Sequence, residues 1–241
     1  MKKTGIKLIF TLFGFMLLFS CSDSFWNCID GNGSITSARR VIGDFSKIEN
    51  SGDFIVDVSI GPITRVTVEA DENLLSYIET YIQGKTLVIE TENNHCIKSS
   101  ESVFVHVITP DVSQLTMSGS GVIYCDSVTT DELKLVLSGS GDIEFSGITA
   151  NFIDANIEGS GEITLAGSSV NTNLTIEGSG NIRSLNLEQD KCIATIAGSG
   201  NIYAFVNDHL DVVIEGSGNM IYKGDPAIVS DISGSGRVIK Y

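Results

Sequence analysis

Two pairs of carboxylates stand at the spacing at which chemistry would need them: Asp142 with Glu162, and Glu158 with Glu177. Glycoside hydrolysis uses two such carboxyl groups flanking the scissile bond. The same four side chains could instead ligate calcium, a cation that takes several oxygen ligands, although two carboxylates do not complete its shell. The third reading is a hydrated acidic face with no ligand at all. The other reagents of catalysis are missing from the pattern. His95, His106 and His209 are scattered, without a serine or cysteine nucleophile signature. A lyase needs a basic catalyst, but Arg183 stands alone and Lys191 neighbours Asp190 on a turn. No phosphate loop, dinucleotide fingerprint or metalloprotease motif is present. The residues therefore point to a non-catalytic protein, with a carbohydrate-active lyase or glycosidase as the alternative.

The carboxylates owe their spacing to a repeat. Gly-Ser-Gly recurs at 119–121, 139–141, 159–161, 178–180, 198–200, 216–218 and 234–236. A period near twenty residues means stacked supersecondary units, none able to bury its apolar face alone. Two positions before each triplet stand Met117, Leu137, Ile157, Ile176, Ile196, Ile214 and Ile232; two positions after stand Ile123, Ile143, Ile163, Ile182, Ile202, Met220 and Val238. Polar residues alternate with them, the period-two signature of half-buried strands. Each repeat reads as one rung of an all-β parallel solenoid, with equivalent residues about 4.8 Å apart along the axis. The triplets form a corner, where glycine tolerates positive φ and close backbone approach.

On this register Asp142 and Glu162 lie side by side, as do Glu158 and Glu177, and Asn181, Asn201 and Asn219 extend the first column as an amide ladder. Tyr124, Tyr203 and Tyr222 fall just past the corners and are the candidate ligand-contact stripe, suited to sugar or protein contacts. Cys125 and Cys192 lie more than three rungs apart, beyond disulfide reach, and are expected as buried thiols. Cys28 and Cys96 are the pair that could bridge.

Residues 41–115 carry strand-like alternation without the triplets. Asp71-Glu72-Asn73 followed by Leu74, Leu75, Ile78 and Ile82 predicts a capped short helix ending at Gly84. This region either continues the solenoid coaxially, making 41–241 one domain with the repeats of 116–241, or forms a separate cap.

The first twenty residues are an address. Lys2, Lys3 and Lys7 precede an apolar run, Leu8 to Phe19, too short to cross a bilayer. Leu18-Phe19-Ser20-Cys21 resembles the lipobox of bacterial lipoproteins, in which cleavage leaves a lipidated cysteine, here Cys21, at the mature N-terminus. Residues 21–40 then read as a flexible tether. Ser22-Asp23 lacks the aspartate position associated with inner-membrane retention, so the expected location is the outer membrane of a Gram-negative envelope, with surface exposure a further expectation. From Cys21 onward twelve basic residues face thirty acidic ones, a net charge of −18, which excludes nucleic acid as a partner. The last rung, Gly236 to Tyr241, has no evident cap, and an open edge invites homodimer pairing unless Arg237 and Lys240 guard it.

The lipobox, Asp44-Phe45-Ser46-Lys47-Ile48, the segment Asp71 to Gly84 with Leu87-Val88-Ile89-Glu90, and Gly-Ser-Gly-Asn-Ile at 178–182 and 198–202 together resemble the putative auto-transporter adhesin, head GIN domain family. The resemblance covers nearly all of 41–241. It implies a right-handed parallel β-helix on an envelope lipoprotein and an adhesin role; from the residues themselves the expected ligand is a glycan or protein, with no cofactor unless calcium binds the carboxylate columns. A purely structural envelope role is the remaining alternative.

Overall fold

The computed structural model describes residues 28–93 and 95–241; the leader, the lipidation site Cys21 and the start of the tether lie outside the described residues. Among the described residues twenty strands account for the fold, eighteen of them in one continuous sheet. The repeats are built from β10 (Gln114–Met117), β11 (Val122–Cys125), β12 (Val128–Leu137), β13 (Asp142–Phe145), β14 (Ile148–Ile157), β15 (Glu162–Ile176), β16 (Asn181–Ile196), β17 (Asn201–Ile214), β18 (Asn219–Lys223), β19 (Ala227–Ile232) and β20 (Arg237–Lys240). All of their pairings are parallel.

The two apolar columns read from the sequence are the core. Ile123, Ile143, Ile163, Ile182, Ile202, Met220 and Val238 are successive register partners, as are Met117, Leu137, Ile157, Ile176, Ile196, Ile214 and Ile232. All but the two members in the final rung are fully buried. Burying a side chain of this size stabilises by roughly 1.5–3 kcal/mol, which each rung obtains only from its neighbours.

At the corners, successive triplets stack backbone on backbone: Ser160 N–H donates to the Gly139 carbonyl at 3.1 Å and Ser199 N–H to that of Gly178 at 3.0 Å. A Cβ on Gly159 would overlap the Gly139 carbonyl oxygen. Positive φ is not the main reason for glycine here, since among the triplet glycines only Gly234 has one, 154°. Close approach alone excludes a side chain.

The N-terminal region is coaxial with the repeats. In chain order it comprises β1 (Ile29–Asp30), β2 (Ile35–Arg40), β3 (Lys47–Asn50), β4 (Ile55–Ile60), β5 (Arg65–Asp71), β6 (Ile78–Gln83), β7 (Thr86–Thr91), β8 (Ile97–Lys98) and β9 (Phe104–Thr109). Strands β3 and β4 pair in parallel with β10 and β11, and β7 and β9 pair in parallel on the far side of β3 and β4. The rung nearest the repeats is thus laid down before the one outside it. Antiparallel strands close the end: β6 on β7, β5 on β9, and β2 on β5.

Two expectations are corrected here. No helix occurs among the described residues, and Asp71 to Gly84 is a run of turns followed by β6. The Leu74 and Tyr77 amides reach back only three residues, to Asp71 and Leu74. From Ile78 onward, β-branched Ile78, Thr80 and Ile82 pair across a two-residue turn with β7, and Gly84 at φ 64° makes that turn. Asp71 does not cap a helix. Its buried carboxylate accepts from Gly33 N at 2.7 Å, Ser100 N at 2.9 Å and Ser100 Oγ at 2.6 Å. The Ser100 hydroxyl, more than the other bonds, holds its pKa below the ordinary aspartate value.

The tether is also shorter than expected. Residues 29–40 carry β1, paired with β8, and β2, paired along its whole length with β5. Arg40 anchors that strand by donating to the carbonyls of Leu75 and Ile78. Cys28 is disulfide-bonded to Cys96, and Cys125 and Cys192 are buried thiols whose pKa burial pushes up to about 12.

Candidate functional site

Strand alternation turns half of each rung outward, and the parallel register lines those residues up in columns. The column beside the corner runs Val122, Asp142, Glu162, Asn181, Asn201, Asn219, Arg237. Here Asp142 and Glu162 are neighbours, as the spacing predicts, but each already has a partner. Asp142 Oδ1 accepts the Glu162 amide at 2.9 Å, and Glu162 Oε2 accepts from Arg183 Nε at 2.6 Å. The asparagines form a ladder: Asn201 Nδ2 donates to Asn181 Oδ1 at 3.2 Å, and Asn219 Nδ2 to Asn201 Oδ1 at 3.0 Å. Glu158 and Glu177 follow the partners Ile157 and Ile176 on the face before the corner, and both are exposed. Among the described residues no group of three His, Cys, Asp or Glu side chains is arranged to hold a metal ion.

The next outward column runs His106, Asp57, Tyr124, Glu144, Thr164, Arg183, Tyr203, Ile221. It brings Tyr124 and Tyr203 onto one stripe and separates Tyr222 from them. Tyr222 is the partner of Ala204 and packs against the core, because the register offsets it by one residue from the outward position. Tyr203 is covered in part by Arg183, whose guanidinium carbon lies 4.8 Å from the ring centroid. Arg183 is therefore not alone on its face: it bridges Glu162 and Tyr203.

Tyr124 is the exposed ring of the set, at 40%. It sits in a concavity of about 310 Å³ with Ile55, Asp57, Phe104, His106, Asp126 and Glu144. Phe104 and His106 stack nearly parallel, 6.0 Å between centroids and 5° between planes. His106 Nδ1 lies 3.3 Å from Asp57 Oδ2. Aromatic surface flanked by hydrogen-bonding carboxylates suits a ligand with one apolar face and a hydroxylated edge. Asp57, Phe104 and His106 escape sequence reasoning because the threading of β4 between β9 and β11 brings them beside Tyr124 across long separations.

A larger trough, about 570 Å³, lies further around each rung, where the chain bends again. It is lined by Thr129, Thr130 and Asp131, by Thr149, Ala150 and Asn151, by Ser168, Ser169 and Val170, and by Glu188, Asp190 and Asn207. These segments stand seven to ten residues after the last glycine of successive triplets, so aligning the repeats on those glycines would have exposed the set.

Comparison with known proteins now bears on the reading. The family model described as putative auto-transporter adhesin, head GIN domain, matches residues 44–226. The chain belongs to this family. Solved structures share the fold. A putative adhesin from Bacteroides fragilis NCTC 9343 superimposes with a TM-score of 0.84 at 20% identity, covering 88% of this chain and 100% of its own. A putative lipid binding protein from Parabacteroides distasonis ATCC 8503 gives 0.76 at 26% identity, covering 88% and 99%. A putative adhesin from Parabacteroides merdae ATCC 43184 gives 0.72 at 21%, covering 88% and 98%. Among curated proteins none matches the sequence.

Proposed function

We propose that this head GIN protein is a non-catalytic envelope lipoprotein, anchored through Cys21 in the outer membrane and facing outward, that binds glycans at the concavity around Tyr124. The observation that carries the binding reading is that concavity: an exposed tyrosine, a Phe104–His106 stack, and flanking Asp57 and Glu144 in one hollow. A sugar ring laid on Tyr124 buries its apolar face while its hydroxyls reach the carboxylates. The family description and the adhesin descriptions of two of the solved relatives favour binding over turnover. The basic and apolar leader ending at Cys21 supports the anchor. Calcium at the Asp142 and Glu162 column is not needed, because backbone and Arg183 already engage those groups.

The test combines address and ligand. Cells of the native host incorporate an alkyne-labelled fatty acid into the protein, and Cys21→Ala abolishes the label. Protease added to intact cells removes the protein. On an array of glycans and matrix proteins, the detergent-solubilised full chain binds glycan and loses it with Tyr124→Ala but not with Tyr222→Phe. Shielding from protease overturns the outward facing, and a matrix-protein hit without any glycan overturns the ligand class.

A further inference from the structure

We infer that the trough formed by the second bend of the rungs is a separate binding site for an uncharged, linear glycan lying along the solenoid axis. It goes beyond the Tyr124 reading, which concerns a different face, and shares with it only the premise that the ligand is carbohydrate.

Three observations carry the inference. The first is size: about 570 Å³ falls within the range of real ligand sites, and the lining residues come from five consecutive rungs. The second is chemistry. Apart from Ala150 and Val170, the lining consists of hydroxyls, amides and carboxylates, with neither lysine nor arginine among them. Hydroxyls and amides both donate and accept, and carboxylates accept strongly, which matches the vicinal hydroxyls of a sugar. Asp131, Glu188 and Asp190 would repel uronate or sulfate groups, so the polymer they admit is uncharged.

The third is periodicity. Thr149 pairs with Thr129 and Ser168, and Ser168 pairs with Glu188, so one polar lining group recurs over four successive rungs, about 4.8 Å apart, before the column passes to Phe205 in the fifth. At the bend, Asn151 Nδ2 donates to Asp131 Oδ1 at 2.9 Å, which orients both side chains along the axis. A polymer of repeating hydroxylated units meets the same partners unit after unit.

The experiment measures binding of the detergent-solubilised full chain to β-linked glucan, mannan and xylan oligosaccharides of increasing length, with polygalacturonate as the charged control. Affinity is expected to rise about tenfold or more with length and to level off once the five rungs are spanned. Asn151→Ala with Asp190→Ala is expected to weaken binding by about tenfold or more, with an unchanged unfolding midpoint. Thr149→Arg, an exposed position, blocks the trough and serves if the double variant does not fold. Tyr124→Ala leaves this length-dependent binding intact. No binding of any neutral oligosaccharide, affinity independent of length, or equal binding of polygalacturonate overturns the inference. Loss with Tyr124→Ala and not with the trough variants overturns it while leaving the Tyr124 site standing; the opposite pattern supports the trough, and the Tyr124 site stands or falls by its own glycan-array test.

Discussion

The two ends of the solenoid solve the same problem in opposite ways. At the N-terminal end the outermost rung, β7 and β9, is covered by antiparallel β6, β5 and β2, cross-linked by Cys28–Cys96 and tied at the Asp71 carboxylate. At the C-terminal end no further rung among the described residues covers β19 and β20. Ile228 and Ile232 occupy core positions there, yet they are 39% and 41% exposed, whereas their partners Leu210 and Ile214 are fully buried. A rung buries its face only against a neighbour, so repetition makes the middle and special sequence must make the ends. Stability in the repeats is accordingly spread over equivalent contacts, and in the cap it is concentrated in a few.

The sharpest way to break this comparison is at the corners. Gly159→Val should cost more than about 4 kcal/mol, because the side chain meets backbone of the preceding rung, while Gly43→Ala in the cap, where a Cβ meets nothing, should be neutral. Urea unfolding of the full chain in detergent reads both, and equal tolerance would deny that close approach dictates the triplets.

Removing the disulfide with Cys28→Ser and Cys96→Ser should cost about 2–4 kcal/mol, since it closes a loop of 68 residues. Hydrogen exchange should then show β1, β2 and β8 opening while β12 to β16 stay protected. Uniform loss of protection would mean that the cap and repeats are one cooperative unit.

Acid should act on the same end. The native pKa of Asp71 lies below its unfolded value, so its contribution is present above about pH 4 and is lost as pH falls through the lower, native value. Amide exchange at Gly33 and Ser100 should therefore rise below pH 4 before that of the repeats, and Asp71→Asn should remove the step.

The smallest effect belongs to the open end. Two copies pairing antiparallel through β20 would set Arg237 against Lys240, a like-charge contact, although Lys240 is already paired with Asp225. End-to-end association should therefore be weak and should strengthen with added salt, which screens that repulsion. Sedimentation at increasing concentration and ionic strength tests it, and a monomer under every condition removes the pairing.

Much of the fold was legible because repetition amplifies local signals. One Gly-Ser-Gly is a weak clue, but seven with apolar residues at fixed flanks specify strand, register and core together, and the columns from Ile123 to Val238 and from Met117 to Ile232 follow. Asp71 to Gly84 misled for the converse reason. An acidic start and apolar residues at 74, 75, 78 and 82 satisfy the helical period locally, and only the pairing of β6 with β7 makes the period two.

The sequence alone therefore determined the repeating architecture, the buried thiols and the neighbouring of Asp142 with Glu162, since each depends on spacing within one regular lattice. Tertiary structure decided what depends on non-repeating contacts. It placed β3 and β4 inside β7 and β9, recruited Ser100 and Gly33 to Asp71, and turned Tyr222 toward the core. It also gathered Asp57, Phe104 and His106 around Tyr124, and curved polar side chains from five rungs into one trough. Local periodicity fixes which side of a strand a residue occupies, but concavity and partnership arise only when distant strands are laid against one another.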